Sequence, residues 1–134
     1  MDVIEILLVE DNPGDVRLLE NALKESSLAY HLHAVTDSDQ AFALLRNSDP
    51  FADVPRPDVI LLDLNLPGKN GLEVLEEIKA DEELKNIPII VLTSSERDLD
   101  VLVAYRKQAS AYLVKPSELR EFAEIIHAIE ILGQ

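Results

Sequence analysis

Polar residues close four apolar runs along the chain, and their types complement one another. Glu10 and Asp11 follow Ile4 to Val9, Asp63 follows Val59 to Leu62, Thr93 follows Ile89 to Leu92, and Lys115 follows Ala111 to Val114. Three carboxylates drawn together repel, and a proton or a cation must relieve that repulsion. A hard divalent ion with oxygen ligands does so well, and Mg²⁺ favours a few carboxylates completed by waters and phosphate oxygens. A carboxylate in such a cluster can also attack phosphorus and form an acyl phosphate while the metal offsets developing charge. Asp63 is the expected acceptor. Lys115 then offers a point charge to one phosphoryl oxygen, and the Thr93 hydroxyl can donate to another.

Each residue alone has a plainer reading. An acid after a strand commonly caps the next helix, so Glu10 or Asp11 in isolation is structural. Thr93 alone reads as a turn residue, Lys115 as a solvated charge, and the stretch from Asp63 to Gly68 as a turn-rich loop. The chemical reading rests on their joint occurrence at successive strand ends. The opposite ends of the same runs carry no similar set.

The elements that must position these residues follow from patterning. Ile4 to Val9 is a strand-length apolar run broken only by Glu5, and Asn12-Pro13 then reads as an N-cap with proline at the first helical position. Val16, Leu19 and Leu23 recur at helical spacing, with Leu18 and Ala22 widening the stripe. A weaker strand is expected from His31 to Val35 and a short helix from Ser38 to Arg46. Pro50, Pro55 and Pro57 mark an extended loop over Asn47 to Pro57. Val59 to Leu62 and Ile89 to Leu92 have no polar face, as strands buried on both sides require. Ala111 to Val114 is a shorter version. Leu72, Leu75 and Ile78 mark a helix, another is expected from Arg97 to Lys107, and a last one carries Phe122, Ile125, Ile126, Ile129 and Leu132. Five strands alternating with five helices indicate an α/β fold, a flavodoxin-like (βα)5 doubly wound parallel sheet in strand order 2-1-3-4-5. In such sheets ligands sit outside the carboxyl ends of the strands, where the polar residues fall.

Bulk properties narrow the function. The 134 residues suit one domain over 1–134, and 47% hydrophobic content supports a core that is aliphatic, given 4% aromatic residues and no Trp. Twelve basic against 26 acidic residues leave a formal charge of -14, which argues against nucleic acid and against anionic membrane surfaces as partners. The absence of cysteine removes disulfides, thiolate catalysis and Cys-ligated metals. The histidines (His31, His33 and His127) suggest no His-rich metal site. No apolar run approaches the ~20 residues of a membrane span, and a signal-peptide pattern is missing, so a cytoplasmic location is expected.

The acidic pair after the first strand, then DLNLPGKNG, LTSS and AYLVKP in order, resembles the receiver domain of two-component response regulators across essentially the whole chain. That resemblance implies a metal-binding pair at Glu10 and Asp11, phosphorylation of Asp63, and a metal ligand in the backbone carbonyl of Asn65. It makes Thr93 and Lys115 the family's hydroxyl and lysine, Tyr112 its aromatic switch residue, and Lys115-Pro116 its usual cis bond. It further implies Mg²⁺ as cofactor, a sensor histidine kinase as partner, and a signalling switch that assists its own phosphorylation and dephosphorylation rather than an enzyme. The segments VEDNPGDVRLLENAL and PDVILLDLNLP, with the proline-bearing loop before the latter, are similar to stand-alone regulators paired with bacterial and cyanobacterial phytochrome kinases. One departure stands at Lys107-Gln108-Ala109-Ser110, where many receivers place a glycine.

Output is expected as a change in association. In the helix over 97–107, Leu99, Leu102 and Val103 can face the sheet, yet Val101, Ala104 and Tyr105 are apolar as well. Surplus apolar residues suggest a contact surface. In receivers the face formed by this helix, the fifth strand and the last helix often switches, so a homodimer through Leu99, Val101, Tyr105 and Tyr112 is the leading expectation. Two enzyme-like or binding readings compete. Haloacid-dehalogenase-type phosphotransferases want a second Asp two positions after the nucleophile, where this chain has Asn65. A flavin module of the same sheet order needs a hydroxyl- and glycine-rich phosphate loop, where Glu10-Asp11 would repel phosphate. A receiver used only for docking would not need the full chemical set.

Overall fold

The computed structural model describes residues 3–66, 71–93, 109–115 and 122–133. Its strands are β1 (Ile4–Val9), β2 (Tyr30–Val35), β3 (Val59–Asp63), β4 (Ile89–Thr93) and β5 (Ala111–Val114). Its helices are α1 (Pro13–Glu25), α2 (Ser38–Leu45), α3 (Gly71–Ala80) and α4 (Ala123–Leu132). All strand pairs are parallel and the order is β2-β1-β3-β4-β5, the doubly wound arrangement expected from the alternation. The helix expected over 97–107, with Leu99, Val101 and Tyr105, lies outside the described residues, as does Pro116.

The two central strands explain the sheet. Every residue of β3 and of β4 is buried, including the terminal Asp63 and Thr93. Such strands cannot be amphipathic, because helices cover both faces. Side chains alternate across the sheet and feed two cores. Leu7, Val9, Ile60, Leu62, Ile89 and Val91 pack with Val74, Leu75 and Ile78 of α3 on one face. Ile6, Leu8, Val59, Leu61 and Ile90 meet Leu19 and Leu23 of α1 and Ile125 and Ile129 of α4 on the other.

Helix starts are set by local chemistry. Asn12 is extended, and its side chain accepts from the backbone N–H groups of Gly14 and Asp15, with Pro13 at the first helical position. This launches α1 immediately after Glu10 and Asp11, so the acids stay beside the strand end. Asp37 caps α2 in the same way by accepting from Gln40 N–H. At α3 the device is steric. A Cβ on Gly71 would lie 2.5 Å from the Asp63 carbonyl oxygen and 2.7 Å from Leu64 Cα. Gly71 also donates its N–H to the Leu64 carbonyl at 2.8 Å. Only a residue without a side chain lets α3 begin so close to the end of β3.

Candidate functional site: an acidic cluster held by one lysine

Glu10, Asp11 and Asp63 each offer a carboxylate oxygen within 4.8 Å of the others. Parallel pairing produces this convergence. Val9 is the register partner of Leu62, so β1 and β3 end at the same level and release Glu10 and Asp63 side by side. Glu10 and Asp63 are only 2% and 3% exposed, whereas Asp11 is open to solvent. Backbone groups fix the two buried acids. The Asn65 N–H donates to Asp63 Oδ1 at 3.1 Å, and the Asn12 N–H donates to Glu10 Oε2 at 3.2 Å. The first bond places the Asn65 backbone directly beside the Asp63 carboxylate.

Lys115 reaches the cluster from the end of β5. Its Nζ lies 2.6 Å from Glu10 Oε1, 2.7 Å from Asp15 Oδ2 and 3.3 Å from Asp63 Oδ2. Its backbone N–H donates to the Thr93 carbonyl at 2.6 Å, which ties the ends of β4 and β5 together. Thr93 is wholly buried at the end of β4. Tyr112 is half-buried in β5, packs against the core on the α3 face, and its hydroxyl accepts from Ala109 N–H at 3.4 Å. The sequence-derived residues Glu10, Asp11, Asp63, Thr93 and Lys115 therefore do stand at one edge of the sheet.

Sequence reasoning missed Asp15. An acid in the first turn of α1 reads as a complement to the helix dipole, and nothing local shows that it faces a lysine one hundred residues further along. Its place three residues after the Asn12 cap keeps it in the turn nearest the strand end, which was the available signal.

The electrostatics are those of a site short of positive charge. Burial raises the Glu10 carboxyl from 4.5 to about 7; Lys115 and the Asn12 N–H pull it down and Asp63 pushes it up. For Lys115, burial disfavours the ammonium, but its bonds to Asp15 and Glu10 and the charges of Glu10 and Asp63 outweigh this and the net shift is upward. Both groups shift upward, which favours the charged form of Lys115 and the neutral form of Glu10. One ammonium is stabilised by several carboxylates, while no single carboxylate receives its full charge. A divalent cation would supply what Lys115 cannot, and three clustered oxygens, two of them buried, fit a hard ion.

A pH dependence follows. Because the folded pKa of Glu10 lies above its ordinary value, the folded state binds more protons than the unfolded one between roughly pH 4.5 and 7. Metal-free stability should fall as pH rises through that window, by about 3 kcal/mol for Glu10. Thermal unfolding in chelator, compared with Glu10→Gln, isolates the effect: the melting temperatures of parent and variant should diverge with rising pH, the parent's falling. Parallel profiles would refute it.

Residues 6–127 match the response regulator receiver domain. The chain belongs to this family, whose members are signalling switches that bind a divalent metal. It is 42% identical over 125 residues to response regulator Rcp1 of Synechocystis sp., covering 93% of this chain and 85% of Rcp1. The crystal structure of the phosphorylated cyanobacterial phytochrome response regulator RcpA matches with TM-score 0.83 at 41% identity, covering 98% of this chain and 94% of RcpA. The Mn²⁺-bound form of Rcp1 matches with TM-score 0.80 at 42% identity, covering 95% and 91% of the two chains. The chain is thus related to phytochrome response regulators. No helix among the described residues is long and apolar enough to cross a membrane.

Proposed function

We propose that this chain accepts a phosphoryl group on Asp63 from a partner histidine kinase of the phytochrome class, in a Mg²⁺-dependent step that switches a binding surface. The observation that carries the reading is the Asp63 carboxylate, buried at a strand end between a lysine ammonium and two further acids. In the transfer, an Asp63 oxygen forms a bond to phosphorus as the bond from phosphorus to the kinase histidine nitrogen breaks, and the nitrogen leaves with that electron pair. The Asn65 N–H on Oδ1 orients the carboxylate, and Oδ2, on the Lys115 side, is the attacking atom. Lys115 then follows the incoming charge onto a phosphoryl oxygen, released in part from Glu10 and Asp15. Glu10, Asp11, Asp63 and the Asn65 carbonyl would hold Mg²⁺, which would supply Lewis acidity and neutralise charge.

The Thr93 hydroxyl serves as donor to the phosphoryl group, and its movement lets Tyr112 turn further inward. The kinase class is supported by RcpA, which is named as a cyanobacterial phytochrome response regulator. Output through a homodimer on the Leu99, Val101, Tyr105 and Tyr112 face accords with the apolar surplus over 97–107. The same residues assist loss of the phosphate, with Asn65 beside the acceptor. The charge of -14 argues against nucleic acid and anionic membrane surfaces as partners, and a cytoplasmic setting suits such a switch.

The test is incubation with acetyl phosphate, with and without Mg²⁺, followed at once by intact mass. One phosphoryl adduct is expected with the metal and none in chelator. Sedimentation with beryllofluoride as phosphate mimic should show the dimer grow; a chain that forms no adduct and stays monomeric overturns the reading.

A further inference from the structure

A second polar cluster lies at the other end of β1, away from the Asp63 site. Glu5 is the one acid inside β1, and its side chain is only 13% exposed. In the parallel register it sits opposite His31 of β2, and His33 follows two residues later on the same face. His31 Nδ1 lies 2.7 Å from Glu5 Oε2. His33 Nε2 lies 3.7 Å from Glu5 Oε1, beyond hydrogen-bond reach. Both Glu5 Oε1 and His33 Nε2 are buried and lack a hydrogen-bond partner among the described residues. Native proteins seldom leave two such atoms facing each other without a water or an ion between them.

The backbone under Glu5 is fixed. Its N–H donates to Asp58 Oδ2 at 2.8 Å, and its carbonyl accepts from Asp58 N–H at 2.7 Å. The carboxylate therefore projects from a rigid strand, as a preorganised ligand should. We propose that Glu5, His31 and His33 form a second cation site, taking a borderline transition dication of the Zn²⁺ kind rather than the hard ion of the Asp63 cluster. Imidazole suits Zn²⁺ and its neighbours, whereas Mg²⁺ prefers oxygen. Zn–N and Zn–O bonds of about 2.0–2.2 Å in tetrahedral geometry set ligand atoms roughly 3.3 Å apart, a few tenths of an ångström inside the Glu5–His33 gap. Two ligands are thus nearly in place. The third, His31, is 65% exposed and can turn its ring from Glu5 Oε2 toward the ion. Histidine spacing alone gave no hint of this, because the carboxylate of Glu5 joins the two histidines through strand pairing.

The site clasps β2, an edge strand, to β1, so its occupancy should stiffen that edge. Calorimetric titration of the full chain with Zn²⁺ at a pH above neutrality, in excess Mg²⁺ to occupy the acidic cluster, tests it. One equivalent should bind, and thermal unfolding should move upward with free Zn²⁺. His31→Ala, at an exposed position, and His33→Ala should each weaken binding at least about tenfold, while Asp63→Asn and His127→Ala leave it unchanged. Absence of Zn²⁺ binding overturns the site, and so does binding that survives both β2 variants or disappears in Asp63→Asn. None of these outcomes bears on phosphorylation of Asp63, which is read by mass alone.

Discussion

Asp63→Asn should abolish the phosphoryl adduct, with no residual modification at the mass resolution of the intact chain. The amide is isosteric, and its oxygen can still accept from Asn65 N–H as Asp63 Oδ1 does at 3.1 Å. What it lacks is a nucleophilic oxygen and a negative charge. Removing one of the clustered carboxylates also relieves repulsion at a nearly water-free position. The variant should therefore unfold at a temperature equal to or above that of the parent in chelator, and bind Mg²⁺ more weakly. That combination separates lost chemistry from lost fold. An adduct that persists on Asp63→Asn would sink the acceptor assignment, and peptide mapping would then point to Asp11, the exposed member of the cluster.

The second large effect is structural and expected at Gly71→Ala. The added Cβ would meet backbone atoms, the Asp63 carbonyl oxygen at 2.5 Å and Leu64 Cα at 2.7 Å, and neither can rotate away. The start of α3 must move outward, disturbing Val74, Leu75 and Ile78 in the core. Overpacking of this kind costs about 1–3 kcal/mol, against a gain of up to about 1 kcal/mol in helix propensity. Adduct formation should slow as well, because the Asp63 backbone is what the Cβ displaces. Gly14→Ala is the control. Its Cβ meets only the Asn12 side-chain oxygen, at 3.2 Å, so a small adjustment suffices and stability should hold. Equal melting temperatures for the two alanine variants in chemical denaturation or heating would refute the steric account.

How much of this was legible beforehand varies by element, for physical reasons. The strands β1, β3, β4 and β5 stood out because helices cover both faces or the chain is strongly apolar. Their observed limits match expectation, except that β3 and β4 extend by one residue to take in Asp63 and Thr93. The hydrogen bond from Leu64 N–H to the Leu92 carbonyl continues the ladder past the last apolar residue, which composition cannot reveal. The edge strand β2 was faint since most of its residues are half-exposed, and it begins at Tyr30 rather than His31. Helix α2 ends at Leu45, with Arg46 as its cap instead of its last turn. Within the site, residues at strand ends were readable because topology forces them together. Asp15 and the pairing of Glu5 with His31 were not, because each depends on which side chain lies across from which.

The shortness of β5 has one more consequence. Lys115 hangs from a strand of four half-buried residues with a single neighbour, β4, whereas Asp63 ends a strand buried throughout. Local opening free energies follow such differences. Amide protons of Tyr112 to Lys115 should exchange with deuterium well before those of Ile60 to Leu62, through fluctuations that leave the rest of the sheet intact. During each such excursion the cluster loses the one ammonium that the described residues supply. The lifetime of a charged group at Asp63 is thereby coupled to the breathing of an edge, so substitutions that tighten the β4–β5 ladder should act as a timer adjustment without touching any acid.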